Sequence, residues 1–207
     1  SEWMIIIKSE YEIAIMREAN RILAQLFEHI SPMILPGIST IELDKEAELF
    51  IRSHGALPAF KGYRDYPATL CTSVNDEVVH GIPGPRVLQS GDIISIDVGA
   101  LFDGFYSDAA RTFPVGTISP QAKKLIEVTR ESLDAGISQA VPGNHLSDIS
   151  AAVQKVVEEG GFSVVRDFVG HGIGRNLHEA PQIPNFGRRG KGPVLQEGMT
   201  LAIEPMV

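Results

Sequence analysis

The sequence predicts an α+β fold made of two halves that repeat one element order, and three observations carry that expectation. Gly91 to Phe113, GDIISIDVGALFDGFYSDAARTF, reads as a β-hairpin. Ile93, Ile94, Ile96 and Val98 supply a β-branched run, Asp103-Gly104 is a strong turn dipeptide, and Phe105, Tyr106 and Thr112 suit the return strand. Two pairs of helical patterns are each divided by a Pro-Gly break, at Pro36-Gly37 and again 106 positions later at Pro142-Gly143. The segment Leu88-Gln89-x-Gly91 followed by Ile96-Asp97 also recurs, at an offset of 107, as Leu195-Gln196-x-Gly198 followed by Ile203-Glu204. Each half therefore reads helix, break, helix, strands, and a β-segment bearing an acid. At 207 residues the chain is one domain, or one duplicated domain, that can bury a real core. The expected span is a single domain over 1–207, with halves at about 9–115 and 116–207. The second half is incomplete by this pattern, because the repeat calls for another turn and strand after Glu204.

The elements follow in order. From about Ser9 to Ile30, apolar residues at Ile13, Met16, Ile22, Leu26 and Ile30 recur at near-helical spacing, with Ser9 as N-cap and Glu12 completing a capping box. Ser39 or Thr40 caps a second helix that runs to about His54 and stops at Gly55. Phe60 to Pro67 is an aromatic loop, Leu70–Val74 a strand, Asn75-Asp76 a turn, and Val78-Val79-His80 another short strand before the hairpin. Ser119-Pro120 opens a third helix carrying Leu125, Val128, Leu133 and Ile137. A fourth helix runs from about Leu146 to Glu159 and ends at Gly160-Gly161. Phe162 to Val169 reads as a strand, Gly170 to Gly174 as a Gly-rich turn, Arg188 to Gly192 as a loop, and Met199 to Glu204 as the last strand.

The hairpin carries the chemistry. With Asp103-Gly104 as a two-residue loop, Phe102 faces Phe105, Gly99 faces Asp108 and Asp97 faces Ala110. Side chains alternate along a strand, so Asp97 and Gly99 share a face. Asp97 and Asp108 then project from one face as diagonal neighbours, roughly 7–8 Å apart at the backbone. Either acid alone reads as an ordinary surface or strand-end residue. As a pair in an apolar hairpin they are costly unless something positive lies between them, which points to metal or acid–base chemistry.

Composition narrows the class. A hydrophobic fraction of 43% and a charged fraction of 21% are those of a globular protein in water. A formal net charge of −8 argues against a general nucleic-acid binder, and the basic run Arg188-Arg189 with Lys191 reads as a solvated loop. The single cysteine, Cys71, excludes a disulfide framework and a multi-cysteine zinc site and fits a reducing, cytoplasmic setting. No apolar run approaches the length of a membrane span, and no signal-peptide pattern precedes the first helix.

Six histidines are present. His29, His54 and His145 sit on helices or in a helix connection and read as hydrogen-bonded structural residues. His171, in Gly170-His171-Gly172-Ile173-Gly174, has glycines on both sides that leave room for a bound group and favour a ligand role. Spacing leaves His80 and His178 open between a ligand role and acid–base or hydrogen-bonding work. Two Asp, one Glu and one His form a mixed oxygen/nitrogen set that suits Mn²⁺, Fe²⁺, Co²⁺ or Zn²⁺ better than Ca²⁺. Bridging carboxylates suggest two ions about 3.5–4 Å apart.

At these residues the sequence closely resembles the type I methionine aminopeptidases of the pita-bread metallopeptidase superfamily. The resemblance rests on CTSVNDEVVHGIP (71–83), SGDIISIDVGALFDGFYSDAARTF (90–113), FSVVRDFVGHGIGRNLHEAPQIP (162–184) and GMTLAIEPMV (198–207). It implies two pseudo-symmetric helix-helix-strand halves with a curved antiparallel sheet covered by helices. It implies two divalent ions, with Asp97 a bidentate ligand of one, Asp108 bridging both, and His171 and Glu204 ligating the other. The family's fifth ligand is a Glu on the strand that the repeat places after Glu204, and no residue of this sequence fills it. His80 and His178 match the family histidines that contact substrate, His178 at the scissile carbonyl and His80 at the peptide nitrogen. Phe60, Tyr63, Tyr66, Cys71 and Leu177 match the pocket for the methionine side chain, whose thioether suits an apolar, aromatic-lined slot.

The implied activity is removal of an initiator methionine ahead of a small second residue, with Glu204 or the family's fifth-ligand Glu relaying the proton. The implied partners are a peptide or nascent-chain N-terminus and the ribosome, with no direct nucleic-acid or membrane contact, and the protein is expected to be a monomer. Two rivals stand beside this reading: an Xaa-Pro peptidase on the same fold, and a catalytically silent pita-bread binding module.

Overall fold

A computed structural model of the chain describes residues 4–77 and 81–207. It divides into two compact units, one running from Tyr11 to Lys123 and the other taking Lys124 to Val207 together with the segment before Tyr11.

In the first unit, helix α1 (Glu10–Ile30) buries Met16, Ala19, Ile22, Leu23, Leu26, Phe27 and Ile30, the three-and-four spacing of one apolar stripe. A short turn over Ser31–Met33 leads to α2 (Thr40–Ser53). Ser39, not Thr40, takes the cap: its Oγ accepts the Glu42 N–H at 3.3 Å, and Glu42 Oε2 accepts the Ser39 N–H at 2.8 Å. Four antiparallel strands follow, β1 (Leu57–Pro58), β2 (Leu70–Val74), β3 (Ile93–Phe102) and β4 (Phe105–Pro114). Strand β3 lies in the middle, with β4 along one edge and β1 and β2 in succession along the other.

The hairpin register matches the sequence reading pair for pair: Phe102 opposite Phe105, Gly99 opposite Asp108, Asp97 opposite Ala110. Asp103 and Gly104 both adopt positive φ, 48° and 83°, as a tight turn between right-twisted strands requires. The two faces of β3 then differ completely. Ile94, Ile96, Val98 and Ala100 are fully buried in a core shared with α1 and α2. The opposite face carries Ser95, whose hydroxyl meets Thr112 at 2.8 Å, then Asp97 and Gly99. Strand β2 is anchored from below by Asp44 of α2, whose Oδ1 accepts the N–H groups of Thr69 at 3.0 Å and Leu70 at 2.7 Å. Burial raises the Asp44 carboxyl above its ordinary range, against those two bonds.

The second unit holds α3 (Pro120–Gln139), α4 (Leu146–Glu159), and strands β5 (Gly170–Gly172), β6 (Glu179–Ile183) and β7 (Leu201–Ala202), with β5 between the other two. Two strand expectations are corrected here. Residues 162–169 form no strand; Phe162 and Val164 pack against Val153 and Val157 of α4 from an irregular segment tied by Val165 N–H to the Met206 carbonyl at 2.8 Å. The strand begins instead at Gly170, where the glycines suggested a turn, and the last strand is confined to Leu201–Ala202 rather than the whole of Met199 to Glu204. The short strand expected at Val78-Val79-His80 lies outside the described residues.

The sequence repeat has a physical counterpart in each unit. The Gly37 N–H donates to the Leu88 carbonyl at 2.8 Å, and the Gly143 N–H donates to that of Leu195 at 3.0 Å. Ser39 bridges Val87 in the first unit, and His145 bridges Val194 in the second. Each α2- or α4-like helix also has an acid three residues past its cap reaching back to the cap N–H, Glu42 to Ser39 and Asp148 to His145, both at 2.8 Å. In both halves the Leu-Gln segment is thereby laced to the loop ahead of the second helix.

Two predictions follow from these contacts. A Cβ on Gly99 would lie 2.8 Å from Phe60 Cε1, 2.9 Å from Ala59 Cβ and 3.0 Å from the Ser107 carbonyl oxygen. Gly99→Ala is therefore expected to cost about 1–3 kcal/mol by overpacking, read as a lowered denaturation midpoint. Asp148 accepts N–H bonds from His145 at 2.8 Å and Gly190 at 2.9 Å, and these hold its carboxyl below the usual carboxylate range. A folded pKa below the unfolded one contributes stability that is complete above about pH 4 and lost as pH falls through the folded value. Asp148→Asn should thus lower the thermal midpoint at pH 7, and the gap from the parent should shrink on acidification below about pH 4.

Candidate functional site

In the first unit, the hairpin face opposite the apolar core carries Asp97, Asp108 and Cys71, with Phe60 against it. Asp97 and Asp108 lie on it as diagonal neighbours, each half-buried with one carboxylate oxygen (Oδ1) withdrawn from solvent. Cys71 of β2 pairs with Asp97 and so shares that face. Its thiol is buried, and burial pushes it up to about 11; contact with the Tyr66 hydroxyl pulls downward, and the charges of Asp97 and Asp108 add to the rise. At neutral pH the thiol stays protonated, which leaves it a poor nucleophile.

Phe60 lies directly against Gly99, in the space that a side chain there would otherwise occupy. Phe60 opens a tight loop in which the Tyr63 N–H donates to the Phe60 carbonyl at 2.9 Å and the Gly62 N–H to that of Tyr66 at 2.7 Å. Tyr66 donates its hydroxyl proton to the Leu70 carbonyl at 2.7 Å, and burial raises its pKa. Tyr63 is half-buried under the Arg64 guanidinium, 5.3 Å from its ring centre.

In the second unit, His171 and Glu204 meet: Nε2 lies 3.2 Å from Glu204 Oε2. The other ring nitrogen, Nδ1, is 2.8 Å from the Gly172 carbonyl, which only accepts. That bond puts the proton on Nδ1 and turns Nε2 toward the carboxylate, the orientation that metal-binding imidazoles are given by a carbonyl behind them. The glycines around His171 serve a different purpose from the one the sequence suggested. A Cβ on Gly170 would strike the Ala202 carbonyl and one on Gly172 that of Ala180, so they admit the neighbouring strands rather than a bound group. His178 is exposed, with its ring centre 4.4 Å from that of His171, and Leu177 beside it is buried at 3% exposure.

Asn185, 1% exposed, donates from Nδ2 to the Glu204 carbonyl at 2.7 Å and fixes the backbone of that acid. No sequence signal marked Asn185, since Pro-Asn-Phe reads as a loop. Gly99 did carry a signal, because a glycine inside a strand commonly marks a close approach.

His80 lies outside the described residues. His29 contacts Glu46 at 2.7 Å, His54 Nδ1 the Phe50 carbonyl at 2.9 Å and His145 Nδ1 the Gly192 carbonyl at 2.9 Å, the structural roles expected of them. The donor sets fit divalent metal. One unit offers two carboxylates with withdrawn oxygens on a single face, and the other offers an oriented imidazole nitrogen beside a carboxylate.

Comparison with known proteins agrees with this chemistry. The profile of metallopeptidase family M24 matches residues 14–207. Methionine aminopeptidase 1 of Bacillus subtilis is 58% identical over 204 residues, 99% of this chain and 82% of that protein. The crystal structure of methionine aminopeptidase from Thermotoga maritima superposes with a TM-score of 0.96 at 46% identity, covering 98% of this chain and 82% of that one. An Xaa-Pro dipeptidase from Bacillus anthracis superposes with a TM-score of 0.81 at 30% identity, covering 96% of this chain but 54% of its own. The fold is thus the α+β pita-bread fold, and the chain belongs to metallopeptidase family M24.

Proposed function

We propose that the protein is a methionine aminopeptidase that hydrolyses the N-terminal methionine from peptides and nascent chains whose second residue is small. The observation that carries the reading is the pair Asp97 and Asp108 on the hairpin face beside Phe60 and Cys71, in a chain 58% identical to a methionine aminopeptidase over 99% of its length. The Xaa-Pro alternative is not favoured, because that relative shares 30% identity and only 54% of its chain is matched.

In this reading Asp97, Asp108, His171 and Glu204 would hold two divalent ions of the Mn²⁺, Fe²⁺, Co²⁺ or Zn²⁺ class, in a single catalytic domain. Such ions supply Lewis acidity, polarising a carbonyl and making water a nucleophile at neutral pH. The chain's own groups do the remainder. Phe60, Tyr63, Tyr66, Cys71 and Leu177 receive the methionine side chain, and burial of an unbranched thioether against aromatic edges favours it over polar residues. Cys71 suits that task because its thiol stays neutral.

His178 donates toward the scissile carbonyl oxygen, where negative charge develops, and His80 holds the peptide nitrogen. Glu204, beside the oriented His171, relays the proton from the attacking water to the leaving amine. The protein acts in the cytoplasm, as a monomer, on chains emerging from the ribosome. A reduced, buried Cys71 is compatible with that compartment, and among the described residues no helix is long and apolar enough to cross a membrane.

The test is release of free methionine from a Met-Ala peptide beside an Xaa-Pro peptide, with Mn²⁺ or Co²⁺ and with a chelator. Methionine release abolished by the chelator is expected; selective cleavage of the Xaa-Pro peptide would sink the assignment. Asp108→Ala should lower kcat by at least about a thousandfold, on the order expected for losing a group that activates the nucleophile, and weaken Mn²⁺ binding in titration calorimetry. An Asp108→Ala protein with unchanged metal binding would remove Asp108 from the ligand set.

A further inference from the structure

We infer that the buried ion pair between Lys8 and Glu179 is a positioning device for His178, an inference that rests on the role given to His178 above. Lys8 Nζ lies 2.7 Å from Glu179 Oε1, and the two side chains are 3% and 4% exposed. The second carboxylate oxygen, Oε2, accepts the Asn176 N–H at 3.2 Å. The Asn176 carbonyl in turn accepts the Gly174 N–H at 3.0 Å. A Cβ on Gly174 would lie 2.6 Å from Lys8 Cε and 2.9 and 3.0 Å from the two Glu179 oxygens. Lys8 is itself held in place, its N–H donating to the Gly198 carbonyl at 2.8 Å and its ammonium to the Ile6 carbonyl at 3.3 Å. The connection from β5 to β6 is therefore wrapped around one ion pair, and His178 is the last residue before Glu179, with its ring 4.4 Å from that of His171.

The physical argument turns on what an ion pair does that apolar packing does not. Burying two charges carries a desolvation penalty of several kcal/mol per ion, and a well-packed apolar pair of similar volume is commonly as stable or more so. A carboxylate with both oxygens engaged fixes direction as well as position, because each bond is satisfied over a narrow range of angles. Glu179 is so engaged, at Lys8 on one side and at Asn176 on the other. The residue joined to it then has little freedom to swing. An electrophilic imidazole displaced by about 1 Å forfeits on the order of a hundredfold in rate, which is where such rigidity matters.

The experiment compares, in the full chain, Lys8→Met, Glu179→Gln, the apolar double variant Lys8→Met/Glu179→Leu, and His178→Ala alone and combined with that double variant. Thermal midpoint, Mn²⁺ affinity, and kcat and KM for methionine release from Met-Ala peptide are measured. Each single variant leaves a buried charge without its counter-ion and lowers the midpoint. The double variant is expected to regain the parent midpoint and Mn²⁺ affinity while kcat stays down about tenfold or more and KM moves less than about twofold, the signature of an interaction felt in the transition state.

Added to His178→Ala, the double change should cause no further loss, because its effect runs through that ring. Full kcat in a double variant of parental stability would overturn the inference, as would a loss that simply multiplies with that of His178→Ala. Where the double variant does not fold, the kcat-against-KM split of Glu179→Gln decides by the same criteria. Should the parent release no methionine at all, the functional assignment fails on its own. The His178 ring resonances then read positioning directly: they shift in the double variant if the inference holds, and unchanged signals refute it.

Discussion

The register of one strand pair governs everything else in the first unit. Side chains alternate with a period of two, so a one-residue slip of β3 would drive Asp97 toward α1 and α2 and turn Ile96 and Val98 outward. The four residues Ile94, Ile96, Val98 and Ala100, each fully buried, make that slip prohibitive. Their burial is what pays for two carboxylates on the reverse face. The same constraint sets the neighbours of those acids: Cys71 faces Asp97 because β2 pairs in register, and Phe60 reaches the acid-bearing face because Gly99 has no side chain.

The second unit reaches a related result by different means. Its strands are short, and β5 owes its place to glycines that let the Ala202 and Ala180 carbonyls press on either side of His171. Around that histidine three bonds give support: the Gly172 carbonyl orients the ring, Asn185 fixes the Glu204 backbone, and the Lys8–Glu179 pair ties down the start of β6. A carboxylate pair is thus presented by a long, regular hairpin, and an imidazole–carboxylate pair by a short, tightly bonded sheet. Both modes keep the candidate ligand groups on rigid backbone, which is what metal-dependent hydrolysis demands of a scaffold.

Recurrence of the same contacts at equivalent positions accounts for how one chain makes two such presentations. The lacing of Gly37 to Leu88 and of Gly143 to Leu195 brings the Leu-Gln segment against the loop ahead of α2 or α4. From there the chain runs into the β-segment that bears Asp97 or Glu204. Where the halves diverge is in what precedes that segment. The first has an aromatic loop suited to an apolar side chain; the second has the histidine-bearing strands. A duplicated frame with unequal insertions gives each half its own set of donor groups, in a chain that belongs to the M24 metallopeptidases.

How much of this was legible in the residues depends on the range of the interactions. Helix limits, the cap at Ser39, the Asp103-Gly104 turn and the Asp97/Asp108 pairing all arise from contacts a few positions apart or across a two-residue turn, so periodicity and turn chemistry suffice to read them. The repeat was legible because its glycines and leucines serve the same bonds twice. What the sequence could not decide were the features made by distant backbone: that Gly170–Gly172 is a strand and 162–169 is not, that the glycines beside His171 make room for carbonyls, and that Asn185, Lys8 and Glu179 stand behind Glu204 and His178. Those depend on close approaches between segments up to 171 positions apart, which leave no periodic trace because a single side chain or a missing Cβ is all they need.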